Sequence, residues 1–275
     1  MKIKSGKSGF CYWFGIAALI LFFSALGLPA AELQPIKLNP PNLKRGLPFM
    51  EALSVRASAR EYSERELSLQ DLSDLLWAAD GINRPAENKS TASSAMNAHD
   101  IRIYVFMKEG AFLYGAPKHE LVPVLDGDYR SQLMMARPPR PAAAPAAPQP
   151  SVPVVTAVPP AIAAPPAGVT LPVPPAGAPV PPGPGVMPPP PPSNPPLQII
   201  LVSDSERFVR GTPETKSEWG ALDAGIVSQN ISLFCAATGL KTVPRAMMDK
   251  ARIRELLKLA DTQNIFLNHP VGYAK

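Results

Sequence analysis

Residues 55–63 read Val-Arg-Ala-Ser-Ala-Arg-Glu-Tyr-Ser, and the pattern R-x-S-x-R inside them (Arg56, Ser58, Arg60) organises the rest of the chain. A guanidinium presents a planar fork of donors that matches phosphate oxygens, and a serine hydroxyl adds a further donor. If the segment is turned or loosely helical, Arg56 and Arg60 stand four apart and face one pocket. Two readings follow. The segment holds the anionic end of a phosphorylated cofactor, or it is a solvated basic turn.

Working outward, a helix is predicted just before the motif, over 48–53, with Pro48 at its start. Residues 32–47 before it are an extended linker with Pro35, Pro40 and Pro41. After the motif, Ser68-Leu69-Gln70-Asp71 is a helix-start box. Leu69, Leu72, Leu75, Leu76 and Ala79 follow at helical spacing, and Gly81 ends the run. Residues 83–94 are polar and predict a loop. Strands are predicted over 101–106, 111–114 and 121–125.

The composition then changes. Residues 137–196 hold about two-thirds of the 36 prolines, and no charge appears between Arg140 and Asp204. Such a stretch lacks ladder donors and helix interiors, so it reads as a disordered, polyproline-like insert rich in Pro and Ala. It is a spacer or docking strip, or an insertion tolerated because loop closure costs grow slowly with length.

Order resumes at Leu197. Ile199-Ile200-Leu201-Val202 fits a strand covered on both faces. A long helix is predicted over 219–238, with Trp219, Leu222, Ile226, Leu233 and Ala237 on one side and Gly239 as its stop. Residues 241–244 are extended, Asp249 caps a helix through Ile253, Leu256 and Leu257, and 265–273 form a last strand. The blocks 48–136 and 197–275 supply complementary elements. Together they predict one α+β domain interrupted by the insert.

Residues 1–31 have the parts of an export signal: Lys2, Lys4 and Lys7, an uncharged run over 10–28, and small residues before Glu32. The run also nears the length that spans a bilayer. A cleaved signal peptide is the preferred reading and an N-terminal membrane anchor the alternative. Either places the domain in the periplasm or cell envelope. The formal charge is +5; without the three leader lysines, 24 basic residues face 22 acidic ones. With no Lys/Arg block, the sequence gives no support for a nucleic-acid partner. A mature chain would keep only Cys235, too few thiols for a disulfide or a zinc site. His99, His119 and His269 lack ligand spacing, so no metal is expected. No G-x-S-x-G surrounds Ser94, which argues against a hydrolase.

Four segments, in order, give the chain its resemblance to the FMN-dependent nitroreductase family, within the branch related to SagB-type azoline dehydrogenases. They are Arg56 to Arg60, the loop Thr91-Ala92-Ser93-Ser94-Ala95-Met96-Asn97-Ala98-His99, the helix Asp223-Ala224-Gly225-Ile226-Val227-Ser228-Gln229-Asn230, and the closing pieces Thr242-Val243-Pro244-Arg245 and Pro270-Val271-Gly272-Tyr273. The resemblance implies an α+β sandwich with a central, mainly antiparallel sheet flanked by helices. It further implies a homodimer with FMN at the subunit interface, and no protein nucleophile, since the cofactor carries the chemistry.

Carried over by position, Arg56 and Ser58 hold the FMN phosphate and Arg60 lies by the flavin N1 and O2 edge. Ser94, Asn97 and His99 belong to the cofactor loop. Pro244, Arg245, Ala246 and Met247 pass beside N5 and O4, and Lys275 is the basic residue left near the C-terminus. Ser93 stands where the family usually has Pro, His99 where it has Gln, and Met247 where it often has Gly. The implied function is two-electron transfer from NAD(P)H or another donor to a small-molecule or peptide-derived acceptor. The rival is a non-enzymatic envelope scaffold with a degraded flavin site, which Met247 and the short C-terminus would favour.

Overall fold

The computed structural model describes residues 33–135 and 195–275. The leader and residues 137–194 of the Pro/Ala-rich insert, with what was expected of them, lie outside the described residues; Pro195 and Pro196, expected to belong to the insert, are buried in the domain, where Arg130 binds the Pro196 carbonyl. The main sheet has seven strands: β1 (Ile36–Lys37), β4 (Ile101–Phe106), β5 (Gly110–Gly115), β6 (Glu120–Asp126), β7 (Leu197–Asp204), β8 (Lys241–Thr242) and β9 (Gln263–Gly272). Their order is β1-β6-β5-β4-β7-β9-β8, and every pairing is antiparallel.

β7 comes from the second sequence block and lies between β4 of the first and β9 of its own. Its register with β4 runs from Ile101 opposite Ser203 to Phe106 opposite Gln198. All eight of its residues are buried. Side chains alternate across a strand, so Ile199 and Leu201 face one layer while Ile200 and Val202 face the other. The first layer includes α2 (Leu69–Asp80), through Leu75 and Leu76, and α3 (Pro213–Thr238), through Ala224, Val227, Ile231 and Cys235. The second includes α4 (Lys250–Leu257), through Ile253 and Leu257. Each fully buried Leu or Ile contributes about 1.5–3 kcal/mol. The fold is therefore the α+β sandwich expected, with a central antiparallel sheet between helices.

The helix ends follow local chemistry. The Ser68 hydroxyl accepts the Asp71 N–H at 3.1 Å and caps α2. Gly81 closes that helix at φ −75°, in extended rather than left-handed geometry. A side chain there would strike the Trp77 ring. α1 (Phe49–Val55) begins behind Pro48, which occupies its N-cap.

Three details differ from the sequence expectations. Part of the predicted loop folds into a small hairpin, β2 (Ile82–Arg84) with β3 (Lys89–Ser90). α3 starts six residues earlier than 219, because Thr212 caps it and Pro213 opens it. Its buried side is also different. Leu222 is 61 % exposed and Ile226 is 37 % exposed. The covered positions are Gly220, Asp223, Ala224, Val227, Ser228, Ile231, Ser232 and Cys235. Small and hydrogen-bonded side chains let this helix approach the sheet closely.

Candidate cofactor site

The Arg-Ser-Arg segment is extended, not turned. Arg56 closes α1 at φ −61° and ψ 116°, and the Ala59 N–H donates to the Thr242 carbonyl at 2.9 Å. The helix ends at Val55, so no helical turn carries Arg56 and Arg60 to a common face. All three are exposed. Arg60 lines an open concavity of 380 Å³ with Ala59, Glu61, Lys241, Ala274 and Lys275. Arg56 and Ser58 are not part of its lining.

Lys241 was missed by sequence reasoning. It is 34 residues from Lys275, and only the pairing of Lys241 with Gly272 brings the two lysines to one place. The concavity collects three cations against one carboxylate, Glu61.

The C-terminal tail is fastened there. The Tyr273 hydroxyl donates to the Asp71 carboxylate and accepts the Ser68 N–H at 3.2 Å. The Arg65 guanidinium lies 4.1 Å from the Tyr273 ring centroid, and the Ser63 N–H donates to the Tyr273 carbonyl at 3.1 Å. Arg45 bridges Asp71 at 2.5 Å and Asp74 at 2.8 Å. Burial pushes the Asp71 carboxyl up, but bonds from Tyr273, Ser68 and Arg45 outweigh it and hold the group below the usual carboxylate range. Beside this tail the buried Tyr62 hydroxyl donates to the Ala59 carbonyl at 2.6 Å. Burial pushes its phenol up to about 12, against the pull of nearby Arg245 and Arg60.

The segment 244–247 reaches the same region. The Arg245 N–H donates to the Asn268 carbonyl at 2.8 Å, and the Asn268 N–H returns a bond of the same length. That amide is therefore occupied, and Pro244 has none. Only Ala246 and Met247 offer backbone donors to a ligand. Met247 is 76 % exposed and is not among the residues at positive φ. The backbone at this position does not require glycine.

The loop 94–99 is built differently. Met96, Asn97 and His99 all adopt left-handed conformations, at φ 55°, 55° and 48°. Such residues cost of order 1–3 kcal/mol each and persist where the surroundings hold them. The Ser94 hydroxyl accepts the His99 N–H at 3.0 Å, so Ser94 serves the loop itself. Asp223 Oδ2 accepts the Ala95 N–H at 2.8 Å, and Arg207 Nε donates to the Ala98 carbonyl at 3.2 Å. Asn97 is exposed. His99 lines a second cavity, of 310 Å³, with Asp80, Arg102, Tyr114 and Arg207, and its Nε2 is buried without a partner.

Within one chain the two sets stay apart. The loop is tied to Asp223, and the Arg-Ser-Arg segment to Thr242 beyond the helix stop at Gly239. At 1.5 Å per residue the helix between Asp223 and Gly239 separates them by roughly 24 Å. No residue lines both cavities.

The concavity fits a phosphorylated ligand through Arg60, Lys241 and Lys275. Apolar side chains stand exposed on the adjoining helices: Phe49, Met50 and Leu53 of α1, Leu222 and Ile226 of α3.

Comparison with known proteins agrees with this architecture. The nitroreductase family profile matches residues 53–273. A Methanocaldococcus jannaschii protein that carries the nitroreductase name is 24% identical over 228 residues, 81% of this chain and 89% of that one. A crystal structure of a nitroreductase from Ralstonia eutropha superposes with a TM-score of 0.64 at 25% identity, covering 90% of this chain and 92% of that one. The Escherichia coli microcin synthetase McbBCD shares the fold at a TM-score of 0.51 and 12% identity, over 94% of this chain and 82% of that one. The family profile spans the domain on both sides of the insert, so this chain belongs to the nitroreductase family.

Proposed function

We propose that this nitroreductase-family oxidoreductase binds FMN, works as a homodimer outside the cytoplasm, and passes two electrons from a donor to an acceptor. The observation that carries the reading is the three-cation concavity of Arg60, Lys241 and Lys275 beside the extended Arg-Ser-Arg segment. A flavin phosphate is a dianion and calls for such a cluster. Bound FMN supplies the redox chemistry itself. The protein then has to hold, orient and shield it.

Arg56 and Ser58, exposed just before Arg60 in the chain, are assigned to the phosphate, together with the lysines. Arg60, which the resemblance puts by the N1 and O2 edge, shares the concavity of Lys241 and Lys275 and is assigned with them to the phosphate. The free amides of Ala246 and Met247 are assigned to the N5 and O4 edge. Asn97 and His99, at the far end of α3 in the same chain, are assigned to the flavin of a second copy. The exposed apolar residues of α1 and α3 are suited to be covered in that dimer.

The scaffold alternative loses its two supports. Met247 is not among the residues at positive φ, and Lys241 adds a further cation to the concavity. Export rests on the sequence of residues 1–31. NAD(P)H is the donor the family suggests. A peptide-derived acceptor is part of the proposal through the resemblance to azoline dehydrogenases.

Mixing two variants tests the arrangement. Arg60→Ala and Asn97→Ala each lower FMN retention as homodimers. Unfolding and refolding them together yields mixed dimers in which one of the two sites is intact. Recovered flavin in the mixture supports the shared site, whereas a mixture as poor as its parents contradicts it.

A further inference from the structure

The strained loop that carries Asn97 and His99 is fastened to the helix α3 at a place with an unusual electrostatic feature. Asp100 immediately precedes β4 and is 0 % exposed, and Asp223 of α3 is 4 % exposed. Asp100 Oδ2 accepts the Ser203 hydroxyl at 2.5 Å. Asp100 Oδ1 is buried and receives no donor. The carboxyl of Asp223 lies within hydrogen-bonding reach of Asp100, and its own Oδ2 accepts the Ala95 N–H. Gly220, one turn before Asp223, packs so closely on Ser203 that no side chain fits there. α3 is thus pressed onto β7 next to the pair.

A buried carboxylate oxygen without a donor is costly. Two facing carboxylates do not both ionise readily. One shared proton removes both difficulties, because a protonated carboxyl donates to its neighbour.

We propose that the buried carboxyl of Asp100 holds a proton that it donates to Asp223, and that the two form a clasp on the loop 94–99, closed while the proton is held and loosened when it is lost. Loss of the proton to solvent leaves two carboxylates that repel. The tie from the loop to the pair is the bond from Ala95 to Asp223, and the loop it holds contains three left-handed residues. A strained segment leaves its conformation when its restraint goes.

The surrounding charges favour this behaviour. Asp80, from α2, adds a third acidic group; burial pushes its carboxyl up to about 7 despite a bond from Ser90, and Asp223 adds repulsion. Burial likewise pushes Asp100 up to about 7, with the Ser203 bond opposing and Asp223 adding to the rise. On β4, Arg102 is occupied by Asp204 of β7 at 3.1 Å. Arg207 uses its Nε on the Ala98 carbonyl, and His99 lies in the loop itself. Among the described residues no Lys or Arg forms an ion pair with Asp100 or Asp223.

What the clasp does for a flavin rests on the function proposed above, but the clasp itself does not. Its test is made on the cofactor-free protein, so its failure is separate from a failure to bind FMN. Hydrogen exchange of the peptide covering 91–99 is followed from about pH 4.5 to about pH 8 and corrected for intrinsic rates. Loss of one proton makes protection fall by up to about tenfold per pH unit between the ordinary carboxylate value, which the opened loop restores, and the raised value of about 7 in the closed form, and level off above it. In Asp100→Asn the amide keeps an acceptor for Ser203 and donates to Asp223, and protection becomes independent of pH. Asp223→Asn gives the same flat profile and serves if the first variant does not fold. Asp80→Asn retains the dependence, with a lower midpoint. A flat profile in the unmodified protein, or an unchanged slope in a folded Asp100→Asn or Asp223→Asn, overturns the proposal.

Discussion

Arg130 Nη1 donates to the carbonyl oxygen of Pro196 at 2.9 Å and so joins the block before the Pro/Ala-rich segment to the last residue of that segment. Asp128 orients the guanidinium, with Nη2 at 2.6 Å from Oδ2. The Gln198 side chain returns a bond of 2.6 Å to the Arg130 carbonyl. The domain therefore closes around the two ends by itself. Replacing residues 137–194 with a short Gly/Ser linker is expected to leave a folded domain. It should be more stable by about 1–2 kcal/mol, from the shorter loop. Denaturant unfolding of the two forms measures this. Arg130→Ala in the shortened form should cost about 1–3 kcal/mol, because it strands buried carbonyl oxygens.

The cationic concavity gives a second expectation. Lys241→Ala should weaken FMN binding roughly ten- to a hundredfold, the effect of one bond to a charged group. Raising the salt should weaken binding in the unmodified protein more than in the variant. Fluorescence titration of FMN at two ionic strengths checks both.

The exposed stripe on α3 gives a third. Leu222→Lys, on a residue that buries little in a single chain, should leave the melting of an isolated monomer nearly unchanged. In the proposed dimer it places a charge in an apolar interface. Light scattering should then show monomers, and flavin retention should fall with the loss of the partner. A stable dimer that keeps its flavin would separate this face from the interface.

His269 sets a pH limit on stability. It is fully buried, with Nε2 2.8 Å from Ser228 Oγ and Nδ1 3.1 Å from Thr242 Oγ1. Burial lowers its pKa to about 3. Between the unfolded value near 6.5 and about 3, the unfolded chain binds the extra proton. Stability from this residue is therefore full above pH 6.5 and declines as the pH falls, by at most about 4–5 kcal/mol in total. Asp80 acts in the other direction. Its raised folded value means that the native state holds the proton, so stability declines as the pH rises from about 4 to about 7. The melting temperature should thus fall on both sides of a mildly acidic maximum. His269→Gln should flatten the acid side and Asp80→Asn the neutral side, as followed by calorimetry across pH.

Much of this fold was legible because its signals are local. The unbroken apolar run of Ile199 to Val202 announced a central strand, and the Ser68 box and Gly239 marked helix ends. α3 was misread because its buried side consists of Gly220, Asp223, Ser228 and Ser232, residues that look exposed in a linear pattern. Each polar member has a partner far away in sequence or one turn back: Ala95 for Asp223, His269 for Ser228, the Ser228 carbonyl for Ser232. The exposed Leu222 and Ile226 imitated a core face for the same reason. In the candidate site, the spacing of Arg56, Ser58 and Arg60 was visible, but its geometry was not, since extended and helical chains both place residues four apart on one side. Lys241 gave no signal, because only the pairing of β8 with β9 carries it to Lys275.

The central claim is that the concavity of Arg60, Lys241 and Lys275 grips the charged tail of a flavin, and one calorimetric comparison tests it most directly. FMN and riboflavin, which lacks the phosphate, are titrated into the purified domain under the same conditions. The account predicts one FMN per chain and riboflavin binding weaker by roughly a hundredfold, the loss of charge-assisted bonds to a phosphate. Equal affinities for the two ligands, or no binding of either, would contradict it.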